Sequence, residues 1–421
     1  VHIAFFNRSY APDETATAQL LADLAEGLVR DHGCRVSVVA GLPAAAEARG
    51  QRTTVREERN GVSVIRVRGT QFAKRRFVGR AMNYLTYFLS ACRAGLTLDR
   101  PDVVVALTDP PIIGLAARLA GLRAGAPLVM IFNDLFPEVA VLLEGFRSPT
   151  INAALQRVNR YLVRHAALSV ALGETMRRRL VETKGAPADR TIVIANWADT
   201  RAIVPEPKPN AFTAAHNLDG TFVVMHSGNL GLSQNLDTLI DAAALLADSP
   251  DIHVVLQGDG VKKADLQRRV KEAGLTNVSF LPFQPRERLS ASFAAADVFV
   301  VSLQRGMAGC IVPSKLYGIL AAGRPYVAAV EDDCEVAALT IEHDCGVVIP
   351  PGDAPALAAA IRRLRADPDG LARQGANARQ ASYAFERRVQ IGKYAEAFGL
   401  VYASRSHGRA RASEETADVH R

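Results

Sequence analysis

At 421 residues, 49% hydrophobic and 22% charged, the chain has a globular composition and is too long for one typical core, so two domains are expected. A formal charge of +7, with basic residues grouped at 74–80, 177–179 and 362–365, points to an anionic partner: a phosphorylated substrate or a membrane surface. Nucleic acid is not expected, because no nucleic-acid module, zinc spacing or aromatic RNA-binding signature is present. The first predicted element is a strand at 1–6, and no signal peptide is expected. Next come a polar loop to Thr17, a helix at 18–29, and strands at 35–40, 62–67, 101–107 and 127–132. The last two strands are apolar runs of the kind buried on both faces of a parallel sheet.

After the strand-like Thr191–Ala195 and a proline-rich crossing at 204–209, a second series begins. Its strands fall at 222–226, 253–257, 278–281, 298–303 and 326–330, alternating with helical patterns. The predicted architecture is α/β, with two doubly wound domains and a ligand cleft between them. Domain bounds are placed at 1–199 and 200–385, followed by a helix at 386–404 and a polar, unstructured tail at 405–421. Cys34, Cys92, Cys310, Cys334 and Cys345 form an odd, scattered set without a C-x-x-C pair. Reduced thiols in a cytosol-like compartment, with neither a disulfide framework nor a metal, are expected. No run of about 18 uncharged apolar residues occurs, so no membrane-spanning helix is expected.

Four loops at strand ends in the second half carry the chemistry. Ser227-Gly228-Asn229-Leu230-Gly231 and Gly258-Asp259-Gly260 hold glycines that suit either plain turns or close approach of backbone to a ligand. Phe283–Glu287 forms the third loop, and the fourth runs from Gln304 and Arg305 to Ser314 and Lys315. Pro313 is favoured at a first helical position and Gly323 at a helix stop, which would put Ser314, Lys315 and Leu316 in a first turn suited to phosphate.

Ser227–Gly231, Gly258–Gly260, Leu281–Arg286, Ala295–Asp297, Pro313–Tyr317 and Ala321–Pro325 together resemble bacterial family-4 retaining glycosyltransferases. The likeness is nearest to the branch that builds O-antigens, colanic acid and related surface polysaccharides. Tyr10–Thr17, Asn133–Glu138 and Ile194–Asp199 fit it as well, so it spans about residues 1–400. It implies the GT-B fold: two Rossmann-like domains facing each other across a cleft, the nucleotide-sugar mostly on the second, the acceptor on the first, and a C-terminal helix returning to the first. Thr15, Gly228, Asn229, Leu230, Gly231, Gly258, Asp259, Gly260, Arg305, Ser314, Lys315 and Leu316 are then the donor-binding candidates. The sequence also departs from the wider family. Its two spaced glutamates correspond to Cys310 and Gly318, and its diphosphate-holding arginine and lysine to Asn229 and Gln234. The diphosphate is therefore expected to meet the Gly228–Gly231 amides, the helix start at Pro313, Lys315 and Arg305.

Asp134 and Glu138 are candidates to orient the acceptor hydroxyl or take its proton, with simple helix capping as the other reading of each. His165 reads as structural, and His226, at a strand end, stays open. The run Phe72–Leu89 mixes Lys74, Arg75 and Arg76 with aromatic and aliphatic residues. Such a run suits an anionic membrane near a polyprenyl-diphosphate-linked acceptor, although a helix packed on its own domain explains Tyr84–Leu89 equally well. The expected activity is transfer from a UDP-sugar to a lipid-linked glycan, with retention, on the inner face of the plasma membrane. No cofactor or metal is expected, the nucleotide-sugar being a substrate. A non-catalytic partner subunit and a UDP-sugar epimerase of the same fold are the alternatives.

Overall fold

The computed structural model describes residues 1–43, 54–70, 72, 77–144 and 148–418. The expected basic cluster Lys74, Arg75 and Arg76 lies outside them. The chain divides into two compact units, one of residues 1–138, 147–195 and 388–421, the other of residues 139–146 and 196–387. The main division thus falls within a few residues of the expected 199/200.

The first unit holds one eight-stranded sheet. Its strands are β1 (His2–Phe6), β2 (Arg35–Gly41), β3 (Val55–Arg59), β4 (Val62–Val67), β5 (Val103–Ala106), β6 (Leu128–Phe132), β7 (Leu168–Ala171) and β8 (Thr191–Val193). They lie in the order β3-β4-β2-β1-β5-β6-β7-β8, all parallel except the β3–β4 pair. Every residue of β1, β5, β6 and β7 is buried, as a sheet covered on both faces requires. Three strands escape the sequence reading, the segment 346–349 of the second unit and two here. The charged, exposed edge strand β3 (Val-Arg-Glu-Glu-Arg) has no apolar alternation, and β7 is only Leu-Ser-Val-Ala.

The second unit holds β9 (Phe222–Ser227), β10 (Ile252–Gln257), β11 (Val278–Leu281), β12 (Val298–Ser302), β13 (Tyr326–Ala329) and β14 (Gly346–Ile349). They are ordered β11-β10-β9-β12-β13-β14 and are parallel throughout. In each sheet the winding reverses beside the first strand, between β1 and β5 and between β9 and β12. Loops leaving the carboxyl ends of such strands form the natural ligand crevice of an open α/β sheet.

The C-terminal helix, Arg387–Asp418, belongs from Arg388 onward to the first unit. Its Phe398 ring meets Phe5 edge-on at 6.0 Å. Gly27 is the contact that lets it sit close, since a Cβ there would lie 2.6 Å from Ile391 Cδ1. The helix corrects the expected unstructured tail at 405–421, because it continues to Asp418. Residues 405–418 are rich in Arg, Ala and Glu and contain no proline, so helix propensity outweighs their polarity.

Candidate functional site

In the first unit, the β1 loop is fixed by two arginines, Arg66 buried and Arg8 half-buried. Arg66, at the end of β4 and 1% exposed, donates to the Ala11 carbonyl, pairs with Glu57 at 2.8 Å and lies 5.5 Å from the Tyr10 ring. Arg8 pairs with Asp109, just past β5, at 3.2 Å and stacks over Tyr84. The Ser9 hydroxyl donates to the other Asp109 oxygen at 2.7 Å. Thr15 caps the helix Ala16–His32, its hydroxyl accepting from the Ala18 amide at 3.3 Å.

Asp134, two residues past β6, is fixed through its backbone: its N–H donates to the Thr108 hydroxyl at 3.4 Å. Burial, and then the neighbouring Asp109 charge, push its carboxyl up to about 6. It lies four residues ahead of the helix Glu138–Glu144 and so is not that helix's cap. Glu138 differs sharply. Lys184, 1% exposed, donates to both Glu138 oxygens at 2.6 and 2.7 Å, to Gln156 Oε1 at 2.8 Å and to the Phe136 carbonyl at 3.0 Å. Burial alone would raise the Glu138 carboxyl, but the Lys184 hydrogen bonds and charge outweigh it and hold it below the usual range. A carboxylate so satisfied is a poor base, which corrects the expectation that Glu138 shares the proton-handling role with Asp134.

In the second unit, the glycine loops after β9 and β10 are laced to one another. The Gly228 amide donates to the Gln257 carbonyl at 2.9 Å, Leu230 to the Asp259 carbonyl at 2.8 Å, and Lys262 to the Leu230 carbonyl at 3.0 Å. The Gly231 amide donates to Gln234 Oε1 at 3.1 Å. At Gly258, where φ is +143°, a Cβ would sit 1.9 Å from the Gly228 carbonyl oxygen; at Gly260 it would sit 2.4 Å from the Leu230 oxygen. The glycines therefore serve loop-to-loop packing. The Gly228, Leu230 and Gly231 amides already have partners, so the expectation that they meet a diphosphate is corrected. Asn229 lays its side chain across Gly231 and Gly260, and Gln234, where the family's lysine would stand, turns inward as the Gly231 acceptor.

The fourth loop leaves β12. The Glu331 carboxylate, just past β13, accepts from the Gly306 and Ala308 amides at 3.0 and 3.2 Å, fixing its start. Arg305 is exposed, with Nη2 3.5 Å from the Pro351 carbonyl. Cys310 is wholly buried, and a Cβ at Gly318 would meet Phe293 Cε2 at 3.2 Å, so neither position presents a polar group for a sugar. The helix is shorter than expected, Lys315–Ala321, with Pro313 ahead of it and Ser314 as its cap residue. Leu316 faces the core at 1% exposure. Lys315 runs over Gly228, where an added Cβ would stand in ordinary contact, 3.4 and 3.5 Å from Lys315 Cε and Nζ. Its Nζ lies 3.0 Å from Nε2 of His226, on β9. Burial pushes the ammonium down to about 7. Among the described residues no carboxylate pairs with Lys315. His165 is exposed, its Nδ1 2.8 Å from the Tyr161 carbonyl.

Sequence reasoning picked out Asp134 and Lys315 but missed Arg8, Asp109 and Glu331. All three follow strands directly (β1, β5 and β13), and that position is the signal that would have found them.

Two Rossmann-like units with loops of this kind at their switch points define the GT-B fold. Residues 15–197 match the family model described as "Glycosyl transferase 4-like domain", and residues 209–381 the model "Glycosyl transferases group 1". The chain is a glycosyltransferase of GT-B fold, built from these two halves. Among curated proteins it is 27% identical over 279 residues to the probable glycosyltransferase WbjE of Pseudomonas aeruginosa, covering 66% of this chain and 69% of that one. It is 28% identical over 276 residues to the putative colanic acid biosynthesis glycosyl transferase WcaI of Escherichia coli, covering 63% and 66%. Among solved structures, Anabaena HepE in complex with UDP and glucose superposes with a TM-score of 0.73 at 21% identity, covering 94% and 99% of the two chains. Sucrose-phosphate synthase from Thermosynechococcus elongatus gives 0.76 at 19% identity, covering 96% and 99%.

Proposed function

We propose that this chain is a hexosyltransferase of bacterial surface-polysaccharide synthesis. It moves a sugar from a nucleotide-sugar, a UDP-sugar in this reading, to a polyprenyl-diphosphate-linked glycan with retention of configuration. The observation that carries it is Lys315: a half-buried ammonium with no carboxylate partner among the described residues, at the switch point of the second sheet. Charge grows on the leaving diphosphate during transfer, and a preorganised ammonium stabilises it more in the transition state than in the ground state. Asp134, tuned to about 6, orients the acceptor hydroxyl and takes its proton at neutral pH. No metal enters this reading, and treatment with EDTA should leave turnover unchanged.

Support for the donor and pathway comes from HepE, whose structures hold UDP and UDP-glucose, and from the colanic acid assignment of WcaI. Two further relatives are GDP-mannose-dependent mannosyltransferases, so GDP is the control nucleotide. Membrane association is supported by the helix Phe77–Leu96. Its exposed Met82, Leu85, Leu89 and Leu96 recur at helical spacing on one stripe, directly after the basic run Lys74–Arg76. No described helix is long and apolar enough to cross a membrane.

The test is transfer of labelled sugar from UDP- and GDP-sugars to a polyprenyl-linked glycan extract, with Lys315→Ala alongside. Acceptor-dependent transfer that falls at least tenfold in the variant supports the reading. Turnover of a UDP-sugar without acceptor would replace it with an epimerase, and no turnover with any donor would replace it with a non-catalytic partner.

A further inference from the structure

His226 has no role in the site as described so far, yet its position is unusual. It is wholly buried on β9, one residue before the Ser227-Gly228 turn, and its Nε2 faces Lys315 Nζ at 3.0 Å. Its other ring nitrogen, Nδ1, is buried with no partner in good hydrogen-bond geometry, while backbone groups of Asn229 and Val300 bear on the ring. An ammonium donates and cannot accept, so Nε2 is the acceptor and the ring proton resides on Nδ1. Desolvation first, and then the Lys315 charge, hold the imidazole well below its usual value, so it stays neutral across the working range. Lys315 thus rests on a partner that fixes its direction without cancelling its charge. An aspartate in that place would have neutralised the ammonium.

We propose that His226 is a positioning residue, a neutral hydrogen-bond acceptor that holds the Lys315 ammonium over Gly228 and leaves its remaining N–H groups for the diphosphate of the donor. The proposal rests on the reading of Lys315 as the diphosphate contact. His226, from β9, is the titratable group that faces Lys315, and Lys315 is the charged group that bears on His226. Accepting a hydrogen bond stabilises the charged form of the lysine. Loss of the acceptor should therefore lower the pH at which Lys315 gives up its proton. It should also free the side chain to leave the Gly228 surface.

The experiment is titration of the whole chain with UDP, and with GDP in parallel, from pH 7 to 9, where the second phosphate ionisation at about 6 is nearly complete. The wild-type affinity should fall roughly tenfold per pH unit above the lysine's ionisation. In His226→Leu the fall should begin about one pH unit lower, with affinity at pH 7 down by roughly tenfold. His226→Gln keeps an acceptor oxygen near the place of Nε2, and should track wild type within about threefold. Lys315→Met should bind weakly with no such dependence. Each variant is first shown to melt like wild type without nucleotide. Superimposable profiles for wild type and His226→Leu, or a Gln variant as impaired as Leu, would overturn the role of His226 while leaving Lys315 in place. Binding of neither nucleotide, or a Lys315→Met profile equal to wild type, would overturn the underlying reading together with the proposal.

Discussion

The loops at the carboxyl ends of the two sheets treat charge differently. In the first, almost every charged group near the strand ends is answered by an opposite charge: Arg8 by Asp109, Arg66 by Glu57, Lys184 by Glu138. In the second, the candidate loops close on themselves through backbone hydrogen bonds, and the lysine above them is answered by a neutral histidine. A buried pair that is complete is part of the scaffold, and removing one member mainly costs stability. A buried charge held by a neutral group has its desolvation left uncompensated until a ligand supplies the counter-charge. The same distinction separates Asp134, whose carboxyl is raised, from Glu138, whose carboxyl is lowered, four residues later.

The largest expected effect comes from breaking the complete pair. Glu138→Ala should destabilise the fold by about 3–5 kcal/mol, because Lys184 would be left buried without its carboxylate. The double substitution Glu138→Leu/Lys184→Met should recover most of that in denaturant unfolding, and its turnover should return with the fold. A refolded double variant without activity would restore Glu138 to the chemistry.

Asp134→Asn should do the reverse. Its folded-state value lies near 6, above the ordinary 3.8, so its contribution to stability is present at low pH and lost as pH rises through 6. The variant should therefore be more stable than wild type at pH 8, by about 3 kcal/mol, and equal to it near pH 3.5, while transfer activity falls. A stability difference independent of pH would contradict the assignment.

The two titrating groups also set a pH profile. With Asp134 active when ionised and Lys315 active when protonated, kcat/KM should be bell-shaped, with its limbs near 6 and 7. Asp134→Asn should remove the acid limb and Lys315→Ala the alkaline one. The smallest effect is expected at Gly318. There Gly318→Ala must displace the edge of the Phe293 ring by a few tenths of an ångström, at a cost of about 1 kcal/mol or less, without changing nucleotide affinity.

Much of this was legible in the sequence where hydrophobic pattern and strand-end position carry the information. Apolar runs such as Pro127–Phe132 and Phe222–His226 marked the buried parallel strands; Asp134 stood out by lying just past such a run, and Lys315 by the helix start at Pro313. Chain pattern could not show whether a polar group is already satisfied. Glu138 and Asp134 look alike in Asn133–Glu138 until Lys184, 46 residues away from Glu138, is folded against one of them. The Gly228–Gly231 loop likewise looks like an anion cradle until Gly258 and Gly260 pack against it. The strand β3 was missed because an exposed edge needs no apolar face.

The central claim is that Lys315 awaits the diphosphate of a nucleotide-sugar. Its most direct test is thermal unfolding of wild type and Lys315→Ala with UDP and, separately, GDP. A nucleotide at 100 times its dissociation constant should stabilise the wild type by about 2.7 kcal/mol, and at the same concentration the variant should gain far less. Equal stabilisation of both proteins, or none of either, would contradict it.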